Sequence, residues 1–452
     1  MYNSMIRRLI KRNLVFVSLM LIATVMIYCG DYQREFNNGV VITSLMITII
    51  SILFMIIGDP YPMSLNKIFM LFSFFFYGIA PIIQYQNGTT LWGGPSFDGK
   101  DYLKLNVIII NILLLYQLFY SIFGKLRLTA FPPKKNTSIS NKRILLISIL
   151  GFLVTFAAYD FNASSLMLRS RTSILESGTL KLILSNFIRP IPAVCLLLFK
   201  AYDRKDKKVE AILMLSCILS NFPLGAPRYY VATIYIALMI TYVKRFESDY
   251  LLLNKAVVGG LLILFPILDQ ARRITSISDL VFRLDFAMFN QGHFDSYQMF
   301  MRVISDDIIT YGKQLLTTVL FFVPRALWPG KSVGSGHFVS GLSRLSFSNI
   351  SMNFFGEGYI NFGYFGIMLF ILLIAYTNAR LDKRFHLVRH QNKLFSCIYR
   401  LLLGLEFFIL RGDLLSSFAY TLSLVCCTLF VHSCVSTEND VSTQSLPVVK
   451  KL

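Results

Sequence analysis

Runs of 17–20 apolar residues recur from one end of this 452-residue sequence to the other, and that recurrence limits what the chain can be. Each run is long enough to cross a hydrocarbon core of about 30 Å as a helix. A helix satisfies its backbone donors and acceptors internally, so it is the form such a run takes where water is absent. Hydrophobic residues make up 55% of the chain and charged ones 15%, too little polar surface for a soluble protein of this length. The expected fold is an all-α polytopic integral membrane protein. The first run, Leu14 to Cys29, lacks a small-residue cleavage site and is followed by further runs, so it reads as a retained helix.

About twelve transmembrane helices are expected, at 14–30, 39–57, 66–84, 106–124, 144–160, 182–199, 211–222, 229–243, 256–268, 361–379, 394–410 and 414–431. Lys and Arg in short loops set orientation. Arg7, Arg8, Lys11 and Arg12, the loops 125–143, 200–210, 244–255 and 380–393, and the tail with Lys450 and Lys451 all fall on one side under this count. Both termini are therefore expected in the cytoplasm. The chain divides into membrane helices one to nine (1–268), one large outer loop (269–360), membrane helices ten to twelve (361–431) and a cytoplasmic tail (432–452).

The net charge of +20 is only partly a matter of topology. Of 44 Lys and Arg, 26 fall on the cytoplasmic side, counting Lys67 at the edge of the third span, 16 in outer loops, and Arg189 and Arg400 inside spans. The cytoplasmic set holds 10 Arg and 16 Lys, the outer set 11 Arg and 5 Lys. Topology has no preference for Arg, whereas phosphate does, because the guanidinium fork makes paired hydrogen bonds. An outward-facing anionic ligand is expected, and no nucleic acid. All seven cysteines lie in spans or the tail, and no Cys/His cluster has metal-ligand spacing, so neither a disulfide framework, a metal nor a cofactor is expected.

The ninety or so residues of the large loop are rich in Phe, Met, Tyr and Ile, which is not the composition of disorder. Phe282, Phe286, Phe289, His293, Tyr297, Phe300 and Ile304 form one stripe at helical spacing. That spacing predicts an amphipathic helix, either on the outer membrane face or packed on the bundle. Leu315 to Val323 is apolar but too short to span, and reads as a re-entrant or interfacial segment. The Gly- and Ser-rich 331–352 is expected to be loop.

Several outer arginines stand near predicted membrane boundaries: Arg169, Arg171, Arg228, Arg272, Arg273, Arg325 and Arg411. A lipid pyrophosphate would carry its phosphates at that depth, and converging guanidinium groups would neutralise it as a leaving group. Each arginine alone is as readily a lipid-headgroup contact. Acidic residues are sparse outside, among them Asp295, Glu357 and Asp413. Glu406 is placed inside a span, and Arg400 is expected to extend toward the cytoplasm. Pro190 and Pro192 are expected to kink the sixth span beside Arg189. His293 and His337 are the outer histidines, each more readily incidental than a base.

Six strings, taken in order, resemble the O-antigen polymerase family, the Wzy-type oligosaccharide repeat-unit polymerases. They are Phe265-Pro-Ile-Leu-Asp-Gln-Ala-Arg272, His293-Phe-Asp-Ser-Tyr-Gln-Met-Phe300, Phe321-Phe-Val-Pro-Arg-Ala-Leu-Trp-Pro-Gly-Lys331, Ser348-Asn-Ile-Ser351, Gly356-Glu-Gly-Tyr-Ile-Asn-Phe-Gly-Tyr-Phe-Gly366 and Leu410-Arg-Gly-Asp-Leu-Leu415. Arg325 and Gly336 also match an Arg-x10-Gly pattern of some members. The resemblance implies a GT-C-like enzyme that polymerises undecaprenyl-pyrophosphate-linked oligosaccharide at the periplasmic face of the bacterial inner membrane. The growing chain on the lipid would be the donor, and a single lipid-linked unit the acceptor. It implies a base among Glu357, Asp295 and Asp413, and sugar stacking on Trp328 and Tyr359. Membrane lipids and a chain-length regulator protein are the other partners it allows. An O-antigen ligase or a lipid-linked oligosaccharide flippase is the alternative.

Overall fold

The structure, a computed structural model, describes residues 37–128, 137–167, 178–264, 267 and 286–438, and most of 14–28. Among these the regular structure is helical apart from one two-stranded sheet. The helices are α1 (Asn38–Ile57), α2 (Leu65–Gln86), α3 (Gly99–Lys125), α4 (Asn141–Ala157), α5 (Leu180–Ala201), α6 (Lys207–Gly225) and α7 (Arg228–Tyr242). After them come α8 (Leu252–Ile263), α9 (Ser296–Ser305), α10 (Lys313–Val319), α11 (Ser335–Leu342), α12 (Phe354–Val388), α13 (Lys393–Arg411) and α14 (Leu414–Val435). Seven of these (α1, α2, α3, α5, α6, α12 and α14) are long and apolar enough to cross a membrane. The expected spans 144–160, 229–243 and 256–268 correspond to shorter helices, the last described only in part. The expected span 394–410 is α13, which carries Lys393, Arg400, Glu406 and Arg411.

Side-chain caps fix where helices start, because the first turn leaves backbone N–H groups unsatisfied. Asn37, Ser64, Ser140, Asp206, Asn353, Asn392 and Asp413 each accept from an amide in the first turn of the following helix. Asp98 and Asp101 form a reciprocal capping box on α3. The sixth expected span does deviate at its prolines: a π-helical turn, Leu184–Ile188, precedes the Arg189–Pro190 turn inside α5.

Two large apolar cores lie side by side, and a third, smaller one gathers Leu65, Phe246, Leu253, Phe385, Tyr399 and Leu403. The first is built from α1, α2, α3, α9 and α12, the second from α4, α5, α6, α7 and α14. Helix α13 serves both, with Leu394, Leu401 and Leu405 in the second core and Leu410 in the first. At one end of the bundle a buried polar knot joins four helices. Asp382 of α12 accepts from the Leu65 and Asn66 amides of α2 and from the hydroxyls of Tyr120 (α3) and Tyr399 (α13). Beside it, Lys67 and Asp59 form a buried ion pair at 2.5 Å. Isolated, each of these charges would be costly, but all are hydrogen-bonded.

The loops sort to two ends. Lys383 donates to Gly124 O, Arg204 to Ile139 O, Lys393 pairs with Asp203, and Arg389 and Arg400 reach Glu247. Thr137–Ile139 (β1) pairs antiparallel with Ser436–Glu438 (β2) at the same end. So the described parts of the basic loops 125–143, 200–210, 244–255 and 380–393 lie together at one end. The loops holding Trp92, His293, Ser346 and Arg411 meet at the other end.

The large loop departs from expectation in two places. Its stripe is not one helix: 3-10 turns at Phe286–Asn290 and Gly292–Phe294 precede α9, whose Tyr297, Met299, Phe300 and Met301 are buried against the bundle. Gly292 explains the break, since a Cβ there would lie 1.9 Å from the Trp92 ring. The 331–352 segment expected as loop contains α11.

Candidate functional site

Helices α13 and α14 run antiparallel and are joined by two residues, Gly412 and Asp413, the latter capping α14. A connection this short puts Arg411 and Asp413 on the same tight turn. Arg411 faces the 292–295 segment: Nε donates to His293 O at 2.8 Å, and Nη2 to Gly292 O and Asp295 Oδ1, each at 2.9 Å. Asp295 is fully buried and further accepts from Trp92 Nε1 at 2.8 Å, from the Ser351 amide at 3.2 Å and from the Ser351 hydroxyl. A carboxylate with this many donors is a clamp for three loops, not a free base.

On the far side of the turn, the Leu414 amide donates to Glu357 Oε1 at 2.8 Å, and Ser335 Oγ donates to Glu357 Oε2 at 2.7 Å. Glu357 is buried in the first turn of α12, which Asn353 caps while donating to Tyr77 and Ser296. Asp413 accepts from Ser416 N at 2.8 Å and Ser416 Oγ at 3.2 Å. It also sits over Gly334, where a Cβ would come within 2.9 Å of Asp413 Oδ2. Burial raises the Asp413 carboxyl above the ordinary carboxylate range, and the Ser416 and Leu415 hydrogen bonds offset only part of that. Two carboxylates thus flank the Gly334–Ser335 backbone, Glu357 held by two other segments of the chain and Asp413 by its own helix.

That backbone leads back to a cationic turn. Arg325 Nη1 and Nη2 donate to Lys331 O and Ser332 O at 2.6 and 2.9 Å, and Lys331 Nζ donates to Phe321 O and Val323 O. Desolvation, then the Arg325 charge, holds the Lys331 ammonium below its usual range. Arg325 itself is exposed. Arg228 begins α7, and the next ring, Tyr229, stacks on Phe408 of α13 at 3.9 Å, so Arg228 is next to the last turn before Arg411.

Of the residues picked out in the sequence, the structure brings Asp295, Arg411, Asp413 and Glu357 together, with Arg228 alongside and Arg325 one turn away in the loop. Trp328 is partly buried in the 325–331 turn. Tyr359 does not offer a stacking face: it is 3% exposed and donates to Asp307 Oδ1 at 2.6 Å. Arg169, Arg171, Arg272 and Arg273 lie outside the described residues. Glu406, deep in α13, accepts from Asn378 at 2.9 Å and stands apart from the site. Trp92 and Ser335 were not singled out in the sequence. Trp92 had a signal, being one of two tryptophans and set in a Gly-rich loop, whereas Ser335 had none. Among the described residues no group of three or more His, Cys, Asp or Glu is placed to hold a metal ion. No family model, no curated protein and no solved structure matches this chain.

Proposed function

We propose that this chain is a GT-C-like glycosyltransferase of twelve spans in the bacterial inner membrane, with its termini in the cytoplasm. It would polymerise undecaprenyl-pyrophosphate-linked oligosaccharide units on the periplasmic side. The observation that carries the reading is the meeting of Asp413 and Glu357 beside the Arg325–Lys331 turn, at the end of the bundle opposite the basic loops. Four of the six strings that resemble the O-antigen polymerase family contribute a residue to that meeting point or to its clamp: Asp295, Ser351, Glu357 and Arg411.

Glycosyl transfer from a pyrophosphate needs two things: a base for the incoming hydroxyl and positive charge for the departing diphosphate. Asp413 takes the first role, since Asp295 and Glu357 are buried and engaged by other parts of the chain, whereas Asp413 is half-buried and accepts only from its own helix. The acceptor hydroxyl gives its proton to Asp413 as its oxygen bonds to the donor's anomeric carbon. The bond from that carbon to the pyrophosphate oxygen breaks, through a transition state with oxocarbenium character. Arg325, Lys331 and Arg228 supply the charge that receives the diphosphate. Arg411 acts at one remove by fixing the turn that presents Asp413. A chain-length regulator protein is the partner such a polymerase would work with.

The test is genetic and chemical together. Deleting the gene in its host and sizing the surface polysaccharide should leave lipid A core bearing one repeat unit, and Asp413→Asn should do the same. Unsubstituted core in the deletion strain would reject polymerisation in favour of ligation or flipping.

A further inference from the structure

Helix α10 is amphipathic in the wrong sense for water. Its polar side chains Gln314, Thr317 and Thr318 are buried, at 2%, 0% and 3% exposure. Its apolar Leu316 and Val319 are each 51% exposed, and the chain that follows turns out Phe322 and Leu327, at 67% and 79%. The inward polar face is specific rather than accidental. Gln314 Nε2 donates to Ser332 Oγ at 2.7 Å, the Ser332 amide donates to Thr317 Oγ1 at 3.3 Å, and the Leu315 amide donates to Asn361 Oδ1 at 2.7 Å. Such a face cannot roll over to hide its leucines without breaking those bonds. An apolar surface held outward in this way needs a partner that is itself apolar.

Two observations identify the partner. The surface continues that of a membrane-spanning helix: Gly312 packs on the Phe362 ring of α12, and Tyr364 and Phe365 just beyond are exposed, as is Leu369 one turn further. Charge completes the description. From residue 308 to residue 356 the sequence contains no Asp or Glu, but it contains Lys313, Arg325, Lys331 and Arg344. A segment with outward leucines and phenylalanines, cations at its edges and no carboxylate matches an interface where acyl chains meet anionic headgroups.

We propose that residues 311–327 lie in the leaflet on the site's side of the membrane, in contact with acyl chains, and that they gather anionic phospholipid around them. The proposal rests on the membrane character of the chain and not on its sugar chemistry.

Trp328, at the end of the segment, is the probe. The full-length protein is placed in nanodiscs of phosphatidylcholine containing a small fraction of brominated lipid, and the fluorescence of a Trp328→Phe variant is subtracted to remove Trp92. Brominated lipid should quench the Trp328 component by about twofold or more, as for a ring at the headgroup boundary, while aqueous acrylamide quenches it weakly. Brominated phosphatidylglycerol should outperform brominated phosphatidylcholine at the same mole fraction. Phe322→Ser with Leu327→Ser, both at exposed positions, should lower the lipid quenching and raise that by acrylamide. A Trp328 component open to acrylamide and indifferent to brominated lipid overturns the contact. Equal quenching by the two brominated lipids overturns the choice of headgroup.

Discussion

Asp413 has two tasks, capping α14 and facing Gly334, and they respond differently to substitution. Asn retains the cap but cannot take a proton, so Asp413→Asn should fold and insert normally while losing about a hundredfold or more in sugar transfer. Because burial raises this carboxyl, transfer in membranes should rise with pH through a midpoint above the ordinary 3.8, where the base form appears. Stability runs the other way. A raised carboxyl favours the fold fully below its ordinary value, and that contribution is lost as pH climbs through the folded value. Asp295 should behave as structure. Asp295→Ala removes the acceptor shared by Arg411, Trp92 and Ser351 and should cost about 3–5 kcal/mol, read as a loss of folded protein in detergent. The sequence made both residues visible because outer carboxylates are rare in it. It could not show that Asp295 is spoken for, since the guanidinium that engages it is 116 residues away.

At the scale of elements, α12 shows what a hydropathy pattern hides. Its 35 residues are two helices broken at Phe362 and Gly363, where φ of Gly363 is +59°. The arms fold back closely enough that a Cβ on Gly366 would lie 1.8 Å from Gly358 O, and one on Gly358 2.7 Å from Gly366 O. The short arm carries Glu357 to the site; the long arm carries Asn378 and Asp382 to the opposite end. Gly366→Ala should therefore misplace Glu357, destabilising by about 1–3 kcal/mol, and a neighbouring exposed change such as Phe365→Leu should not. Thermal inactivation of the two variants in detergent checks this. An apolar count sees only one span here, and the three glycines between 358 and 366 are its hint of a close approach. The stripe at 282–304 misled for the converse reason. Its spacing is helical, but the close pass of Gly292 over Trp92 is a tertiary demand that interrupts the helix.

For the molecule as a whole, positive charge was a legible feature, because it marked the loops that share one end. The described parts of the four basic loops meet there, joined by bonds such as Lys383 to Gly124 and Arg400 to Glu247. A membrane-impermeant thiol reagent should label Ala326→Cys in intact spheroplasts and Lys205→Cys only after permeabilisation. Labelling of both from the same side would dismantle the topology. Long apolar runs gave the helices, and seven of them meet the length and composition of a span. What hydropathy could not give is the division into three cores around α13, since every run looks alike until its neighbours are known.

The small sheet between β1 and β2 bears on when this molecule is finished. Residues 137–139 leave the ribosome almost three hundred positions before their strand partners, residues 436–438. Until then the second core lacks both α14 and the clasp that holds its ends, so α4 to α7 must wait in the bilayer as a half-made bundle. Biogenesis of this protein is thus a closing act rather than a steady accumulation, and insertion factors that shelter unfinished helices would be needed until α14 and β2 have emerged.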